Sequence, residues 1–464
     1  MAESGSTVVK GAARRSIFPC LISHMMRRIS GMKITKTFLP LGLTLAVAVS
    51  VALSAMIWTN PAQYERNRQR SSNTTTTELS ARPQKDVYLP TQVVYTNANG
   101  NQELLNNRKV SLTTEIREAL SKWELGRVRT VNVSSKAAYM KFLQTKSSVL
   151  LSYAAPINVK MYNTVFGSQL NRTATKFSRI LVPLTDTGDI YLLNDQDHRV
   201  YRVTVRKSHT QALKQILQEN LFRINVKLDW LNQTVMPYVT SQVTVPSYSY
   251  LVNQQSTDYF TTRLLNSGES TNVSAKKNKD STTYSDGASR QMTVYNKRGT
   301  ALFEDYSAMQ ASLSFSQALT AGYSAVKSIG LPMENLRYYG YDTGKSTVTY
   351  RSFVEGFPIF NQSDYGAARI QMLSQGVRRY NFSLYSLQVP VPTDKKSATL
   401  PGTQQVIDQL TAAGYSQKKI STLQLGYQWK TSTSSDKVVN LTPTWYVYYA
   451  GSWKTYTQML KIQA

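Results

Sequence analysis

Residues 38–58 carry no charged side chain, and this run constrains the fold more than any other part of the chain. As a helix it would be about 31 Å long, enough to cross a bilayer core of about 30 Å. No second run of this length and character occurs in the sequence. The sequence therefore predicts one transmembrane helix, with residues 59–464 together on one side of the membrane.

The residues before the span indicate its orientation. Residues 1–37 contain seven basic side chains and one acidic one. By the positive-inside rule, this N-terminal segment is cytoplasmic and the chain after the span is extracytoplasmic, as in a single-pass cell-membrane protein. A cleaved signal peptide is the alternative, although the run exceeds the usual apolar region of about 7–15 residues. A start of translation at Met32 instead of Met1 also stays open.

Two stripes of small residues run along the predicted span. The first stripe contains Gly42, Ala46, Ser50 and Ser54, and the second contains Thr44, Ala48 and Ala52. Small residues allow close approach of membrane helices, and Ser and Thr can hydrogen-bond across the contact. We therefore predict that these seven residues pack against partner helices. The alternative is a passive anchor, because Ala and Ser are common in such spans.

Composition divides the remainder of the chain. Residues 66–85 are polar and nearly free of large apolar side chains, which is typical of a linker. Later stretches alternate between helix and strand patterns, and two prolines near residue 240 separate the first group from the rest. The predicted fold class is α+β. The predicted parts are a linker at 59–85 and three extracytoplasmic domains at 86–240, 241–388 and 389–464.

The second and third predicted domains share an order of elements. Residues 315–328 have a helical pattern, and strand patterns follow at 336–341 and 346–360. Residues 403–413 are again helical in pattern, with strands at 423–429 and 438–449. This repeated order of elements predicts two small related modules, each with a helix on an antiparallel sheet. The same order could also recur without relatedness, since helix followed by hairpin is a common unit.

The chain is strongly basic. Its net charge is +27, of which +21 belongs to the part after the span, with 47 basic and 26 acidic residues. Outside the cytoplasm, such a balance favours anionic lipid or anionic wall polymer as a partner. The charges are scattered, however, and no nucleic-acid-binding motif is present. Simple solubility beside an anionic envelope is therefore an alternative explanation.

Catalytic and metal-binding residue types are scarce after the span. The single cysteine, Cys20, precedes the span, and only His198 and His209 follow it. The triplet Asp-Thr-Gly occurs at 186–188 and 342–344, as in aspartic proteases, but both copies lie between strand patterns, where Asp-x-Gly is ordinary turn chemistry. We predict that the protein is not an enzyme and that it has no metal site and no cofactor.

Three blocks of sequence, at residues 54–64, 347–360 and 441–453, resemble the YycH (WalH) family. Residues 54–64 match its Ser-x-x-x-Trp-Thr-x-Pro-x-x-Tyr junction after the membrane helix. Residues 347–360 resemble its Thr-Val-x-aromatic-Arg block, which ends in Gly-x-Pro-Ile-Phe. Residues 441–453 resemble its Leu-x-Pro-x-Trp-Tyr-Val ending. The blocks occur in the family's order across nearly the whole chain.

The resemblance implies a Gram-positive envelope protein with one membrane helix and a three-domain exterior, whose last two domains are similar to the sister protein YycI. It implies a regulator of the sensor histidine kinase YycG (WalK) that acts with YycI, partly through contacts between membrane helices. That kinase belongs to the two-component system that controls cell-wall metabolism. The alternative function is an extracytoplasmic basic module that binds anionic cell-wall polymer.

Overall fold

The computed structural model describes residues 82–461, except 109, 134, 186–187, 266–272, 308–312, 361–365, 374–375, 394 and 433–434, and it also describes Val47 and Ser50. Residues 82–461 belong to one compact unit. The cytoplasmic segment, almost all of the predicted span and most of the predicted linker lie outside the described residues.

The N-terminal half is built on a nine-stranded sheet in which every pair is antiparallel, in the order β3-β7-β6-β5-β4-β1-β2-β8-β9. Its strands are β1 Gln92–Thr96, β2 Gln102–Asn106, β3 Glu124–Val131, β4 Ser148–Asn158, β5 Lys176–Pro183, β6 Ile190–Asn194, β7 Arg199–Lys207, β8 Phe222–Leu231 and β9 Thr234–Val239. Its helices are α1 Gln84–Val87, α2 Leu112–Leu120, α3 Lys136–Leu143, α4 Val159–Phe166 and α5 Thr210–Gln218.

Both faces of this sheet are buried. Side chains alternate along a strand, so Val93 contributes to one hydrophobic core and its neighbour Val94 to the other. The first core includes residues of α2, α4 and α5, whereas the second includes Tyr139 and Leu143 of α3. Each core continues into the C-terminal half, which therefore packs against both faces.

The C-terminal half begins with a short β10 and adds most of its strands to a second sheet. Its strands are β10 Val243–Val245, β11 Tyr248–Gln254, β12 Ser274–Lys277, β13 Ser281–Ser285, β14 Arg290–Tyr295, β15 Thr300–Asp305, β16 Leu336–Asp342, β17 Thr347–Val354, β18 Phe357–Phe360, β19 Ala368–Met372, β20 Arg378–Ser383, β21 Tyr385–Val391, β22 Ala398–Leu400, β23 Ile420–Thr431, β24 Val438–Tyr449 and β25 Ser452–Thr455. Its helices are α6 Thr257–Leu264, α7 Phe315–Ile329, α8 Thr403–Ala412 and α9 Tyr456–Lys461.

The second sheet runs in the order β12-β13-β14-β15-β20-β19-β17-β18-β23-β24-β11-β21, with β16 on β17 and β25 on β24. Its described pairs are antiparallel except β18 and β23, which pair in parallel through Ile359 with Tyr427 and Phe360 with Gln428. β10 and β22 form a separate two-stranded sheet. The mixed fold with antiparallel sheets confirms the predicted α+β class.

Local sequence patterns account for two features of this half. Ser256 caps α6, since its side chain accepts a hydrogen bond from the Tyr259 N–H. Helix, strand, turn and strand occur in both predicted copies, as α7, β16 and β17 and then α8, β23 and β24. Whether the two copies are related stays a prediction. β21 crosses the predicted boundary at 388/389, and the division into three domains also stays a prediction.

Candidate functional site

The seven predicted helix-packing residues cannot be placed by this structure. Ser50 is helical and exposed, and the other six lie outside the described residues. Within the part of the chain that is described, no helix is both long enough and apolar enough to span a bilayer. The predicted membrane contact therefore stays a prediction.

The described chain begins with a segment that is anchored in the folded unit. We call residues 82–91 the junction segment, because they join the end of the predicted linker to the first predicted domain. Val87, Tyr88 and Leu89 each have 0% of their surface exposed, and Thr91 has 6%. Such burial is unusual for residues next to a polar linker, and it fixes where the chain enters the folded unit.

Tyr88 makes the central contacts of the junction segment. Its hydroxyl donates a hydrogen bond to the Leu319 carbonyl of α7 at 2.6 Å and lies 2.7 Å from the Tyr350 hydroxyl of β17. Since Tyr88 has one hydroxyl proton, Tyr350 must be the donor in the second bond. The Tyr88 ring also stacks on Tyr338, with centroids 5.1 Å apart. Burial is the main cause that raises the pKa of Tyr88 well above its usual value, and the nearby Tyr350 raises it further. The Tyr88 hydroxyl therefore stays neutral.

Two further contacts connect the junction segment to both halves of the unit. Asp86 forms an ion pair with Arg117 of α2 at 3.3 Å, and both side chains are largely buried. The Tyr323 hydroxyl of α7 donates to the Arg82 carbonyl at 2.8 Å. The junction segment is thus bonded to the N-terminal half through α2 and to the C-terminal half through α7. A shift between the halves would displace the chain that leads to the predicted linker.

The family-like blocks at 347–360 and 441–453 meet in the structure. The Phe360 ring stacks on Tyr446 with centroids 3.6 Å apart and planes at 13°. The Arg351 guanidinium lies 4.0 Å from the Phe360 ring centroid, and one of its N–H groups donates to the Ile359 carbonyl at 3.2 Å. Arg351 is 1% exposed. These contacts hold β18 against β24 and β17, which is a packing role.

The same block also reaches the N-terminal sheet. Glu355 and Gly356 form the turn between β17 and β18, with φ of 48° and 80°. A Cβ at position 356 would lie 1.8 Å from the Asn106 side-chain oxygen, and this close approach together with the positive φ favours glycine. The Tyr248 hydroxyl donates to the Glu355 carboxylate, and Arg108 lies 3.9 Å from it. Burial raises the pKa of Glu355, while the Tyr248 hydrogen bond and then Arg108 oppose that shift.

The Asp-Thr-Gly copy at 342–344 has a structural explanation. The Asp342 side chain accepts a hydrogen bond from the Lys345 N–H at 3.0 Å, as expected of a turn residue. Residues 186 and 187 of the other Asp-Thr-Gly copy lie outside the described residues. The described residues contain no cluster of His, Cys, Asp and Glu able to hold a metal ion. His198 lies in a turn with its ring against Tyr139 and Trp230.

Comparisons with known proteins agree on one family. The family model of the YycH protein, N-terminal domain, matches residues 34–221, and that of the YycH protein, C-terminal domain, matches residues 235–461. No curated protein matches this chain in sequence. The crystal structure of YycH from Bacillus subtilis is similar in fold, with a TM-score of 0.67 and 16% sequence identity. That similarity covers 83% of this chain and 100% of the other. The chain therefore belongs to the YycH family.

Proposed function

We propose that this protein is a non-enzymatic, membrane-anchored regulator of the sensor histidine kinase YycG (WalK), acting together with YycI. Membership of the YycH family carries the proposal, because that family implies regulation of the YycG two-component system. The scarcity of cysteine and histidine after the predicted span is consistent with a regulatory role. The site of action in this proposal is the predicted membrane helix.

The proposed mechanism links the exterior unit to that helix through the junction segment. Tyr88 and Asp86 connect the segment to α7 and α2, so it follows any rearrangement of the two halves. An exterior unit that favours one arrangement would bias the helix, and with it the kinase, between two conformations. The energy for such a shift must come from a difference in binding to the two conformations.

The helix contact can be tested by adding bulk to the first small-residue stripe. We expect the triple variant Gly42→Leu, Ala46→Leu and Ser50→Leu to lose co-purification with the kinase, because large side chains prevent close helix approach. The genes controlled by the kinase should become deregulated in the same strain. Detergent extraction followed by immunoprecipitation of the kinase provides the measurement.

A matched control changes three apolar side chains on a neighbouring face. The variant Leu43→Ile, Val47→Leu and Val51→Leu keeps the helix apolar and leaves the stripe intact. It should co-purify with the kinase at the wild-type level. Wild-type recovery of the stripe variant would show that this face does not contact the kinase.

A second candidate function is favoured by the charge of +21 after the predicted span. We propose as the alternative that the exterior binds anionic cell-wall polymer directly. Phosphate-rich polymer should then bind the purified full-length protein, and binding should weaken strongly between about 50 and about 200 mM salt, because exposed charges are screened over this range. Binding without salt dependence would contradict this alternative.

A further inference from the structure

A cleft separates the N-terminal sheet from the C-terminal sheet within the described unit. Its cavity volume is ≈ 280 Å³. One wall comes from β1, β4, β5 and β9, and the other comes from β16, β23 and β25. Two different sheets thus present side chains toward one another across an open cleft, whose volume is close to the lower end of the range for ligand sites, about 300 Å³.

The N-terminal wall is a row of polar side chains set by strand register. Gln92 pairs with Ser152, and Ser152 pairs with Arg179, so the three lie side by side on one face of the sheet. Arg179 donates to the Ser152 hydroxyl at 2.7 Å and to the Val235 carbonyl at 2.8 Å. Its Nε lies 2.9 Å and 3.0 Å from the two carboxylate oxygens of Asp195. Arg179 therefore acts as a rigid support for this wall.

The lining carries no excess charge. The charged side chains of the lining are Arg179 and Asp195, and they form an ion pair with each other at 2.9 Å. Asp195 also accepts a hydrogen bond from the Tyr139 hydroxyl at 2.5 Å. Amide side chains make up much of the remaining polar surface: Gln92, Gln196, Gln233 and Gln424. An uncharged ligand fits such a lining better than an anion or a cation.

The C-terminal wall combines an amide with an indole. Thr422 and Gln424 alternate along β23 with the buried Leu423, so both point away from the core. Thr422 pairs with Tyr448, which in turn pairs with Trp453 of β25, and this register puts Trp453 on the same face. The Tyr339 hydroxyl donates to the Gln424 side-chain oxygen at 2.6 Å. That bond fixes the amide with its N–H₂ group available as a donor.

Trp453 is held by edge contacts. Its ring centroid lies 5.1 Å from Tyr448, 5.2 Å from Phe360 and 6.4 Å from Tyr339, with planes inclined at 55°, 63° and 53°. None of these three rings is stacked parallel on the indole. Trp453 is half-buried and lines the cleft. A fixed indole of this kind offers its electron-rich face to weakly positive C–H groups of a ligand.

We propose that this cleft binds a neutral, amide-bearing oligosaccharide, with Trp453 stacking on a sugar ring and Gln424 bonding its hydroxyl or acetamido groups. A glutamine amide can both donate and accept hydrogen bonds, and so can sugar hydroxyls and acetamido groups. An extended peptide fits less well on the neighbouring edge strand β9. Pro237 has no N–H, and the Val235 carbonyl already bonds to Arg179, so β9 offers fewer groups for strand pairing.

Binding can be measured on full-length protein in lipid nanodiscs, which avoids detergents with sugar headgroups. The probe is tetra-N-acetylchitotetraose, followed by saturation-transfer NMR and calorimetric titration. We expect saturable binding, with signal transfer concentrated on the acetamido and ring protons. Gln424→Ala and Trp453→Ala should each weaken binding by about tenfold or more, as for an anchor residue of a binding site.

Matched controls lie outside the cleft lining. Gln428 is on the same strand face as Gln424, and Trp429 follows it in the chain. Gln428→Ala and Trp429→Ala therefore remove an amide and an indole that do not line the cleft. Both controls should bind within about twofold of wild type. Trp453→Phe keeps an aromatic face, so its affinity for the probe should fall between those of wild type and Trp453→Ala. This milder substitution tests the role of the ring even if Trp453→Ala unfolds.

Absence of saccharide binding at millimolar probe would overturn the proposal, and so would binding that Gln424→Ala and Trp453→Phe leave unchanged. Displacement of the probe by an unrelated extended peptide would also overturn it, because the cleft would then be a peptide site. The measurement uses purified protein without the kinase. Its outcome is therefore separate from the regulatory function proposed above and from the polymer alternative, which depends on charge and salt.

Discussion

At the residue scale, the Tyr88 hydroxyl offers a direct test of the junction contacts. Replacing it with Phe keeps the ring that stacks on Tyr338 but removes the hydroxyl that bonds to Leu319 and Tyr350. Two buried groups then lose a partner, which should lower the free energy of unfolding by about 1–3 kcal/mol. Urea unfolding of the purified protein measures this change.

Tyr306 provides the control for this substitution. Its side chain is 50% exposed, so Tyr306→Phe should change the free energy of unfolding by no more than about 0.5 kcal/mol. An equal effect of the two substitutions would contradict the assigned role of the Tyr88 hydroxyl.

Glu355 gives a prediction for pH dependence. Burial raises its pKa above the ordinary value of a glutamate in the folded state, so folding favours the protonated form. Its contribution to stability is therefore complete below the unfolded pKa and is lost as the pH rises through the raised folded pKa. Glu355→Gln keeps an acceptor for Tyr248 without the charge, so its stability relative to wild type should increase as the pH rises from about 4 to about 8.

The measurement is the melting temperature of both proteins across that pH range. Other carboxylates titrate in both proteins and cancel in the difference between them. A difference between wild type and Glu355→Gln that stays constant with pH would contradict the assignment.

At the element scale, the parallel pairing of β18 and β23 depends on close approach at Gly426. A Cβ there would lie 2.9 Å from the Pro358 carbonyl oxygen and 3.0 Å from the Phe360 ring. Gly426→Ala should therefore push β18 away and lower the free energy of unfolding by about 1–3 kcal/mol. Denaturant unfolding monitored by circular dichroism reports the change.

Gly340 is a matched control for Gly426, because it also lies in a strand but a Cβ at its position would have no atom within 4 Å. Gly340→Ala should be neutral or slightly stabilising, since alanine restricts the unfolded chain. If both substitutions destabilised the protein equally, close strand packing at Gly426 would not be the cause.

The sequence predicts elements well where the signals are local. The Ser256 cap before α6 and the hairpin of β14 and β15 follow from residues next to one another in the chain. The parallel pairing of β18 with β23 joins residues that are far apart in sequence, and no local pattern encodes it. Long-range packing of this kind decides which elements meet.

The anchoring of the junction segment could not be predicted from the sequence, for a physical reason. Val87, Tyr88 and Leu89 form an apolar run directly after a polar stretch, and that contrast is the only local sign of their burial. The partners of Tyr88 in α7 and β17 lie more than two hundred residues later. The family-like blocks at 347–360 and 441–453 can likewise be recognised in the sequence. The stacking of Phe360 on Tyr446, which joins them, is visible only in the structure.

At the scale of the whole molecule, three parts act together in the proposed function: an exterior unit, the junction segment and a predicted membrane helix. Residues 82–461 form one compact unit, and the junction segment is bonded to both halves of it. A change in the exterior unit would reach the kinase through the predicted helix. The central claim is therefore a direct helix contact with the kinase inside the membrane.

Site-specific photo-crosslinking in the native membrane tests this claim most directly. A photoreactive residue at position 46, within the first small-residue stripe, should crosslink to the kinase YycG, and mass spectrometry of the adduct identifies the partner. The same residue at position 43, on a neighbouring face, should give much less adduct. A lack of abundant adducts at both positions would contradict the proposed helix contact. Equal amounts of adduct with unrelated membrane proteins at the two positions would contradict it as well.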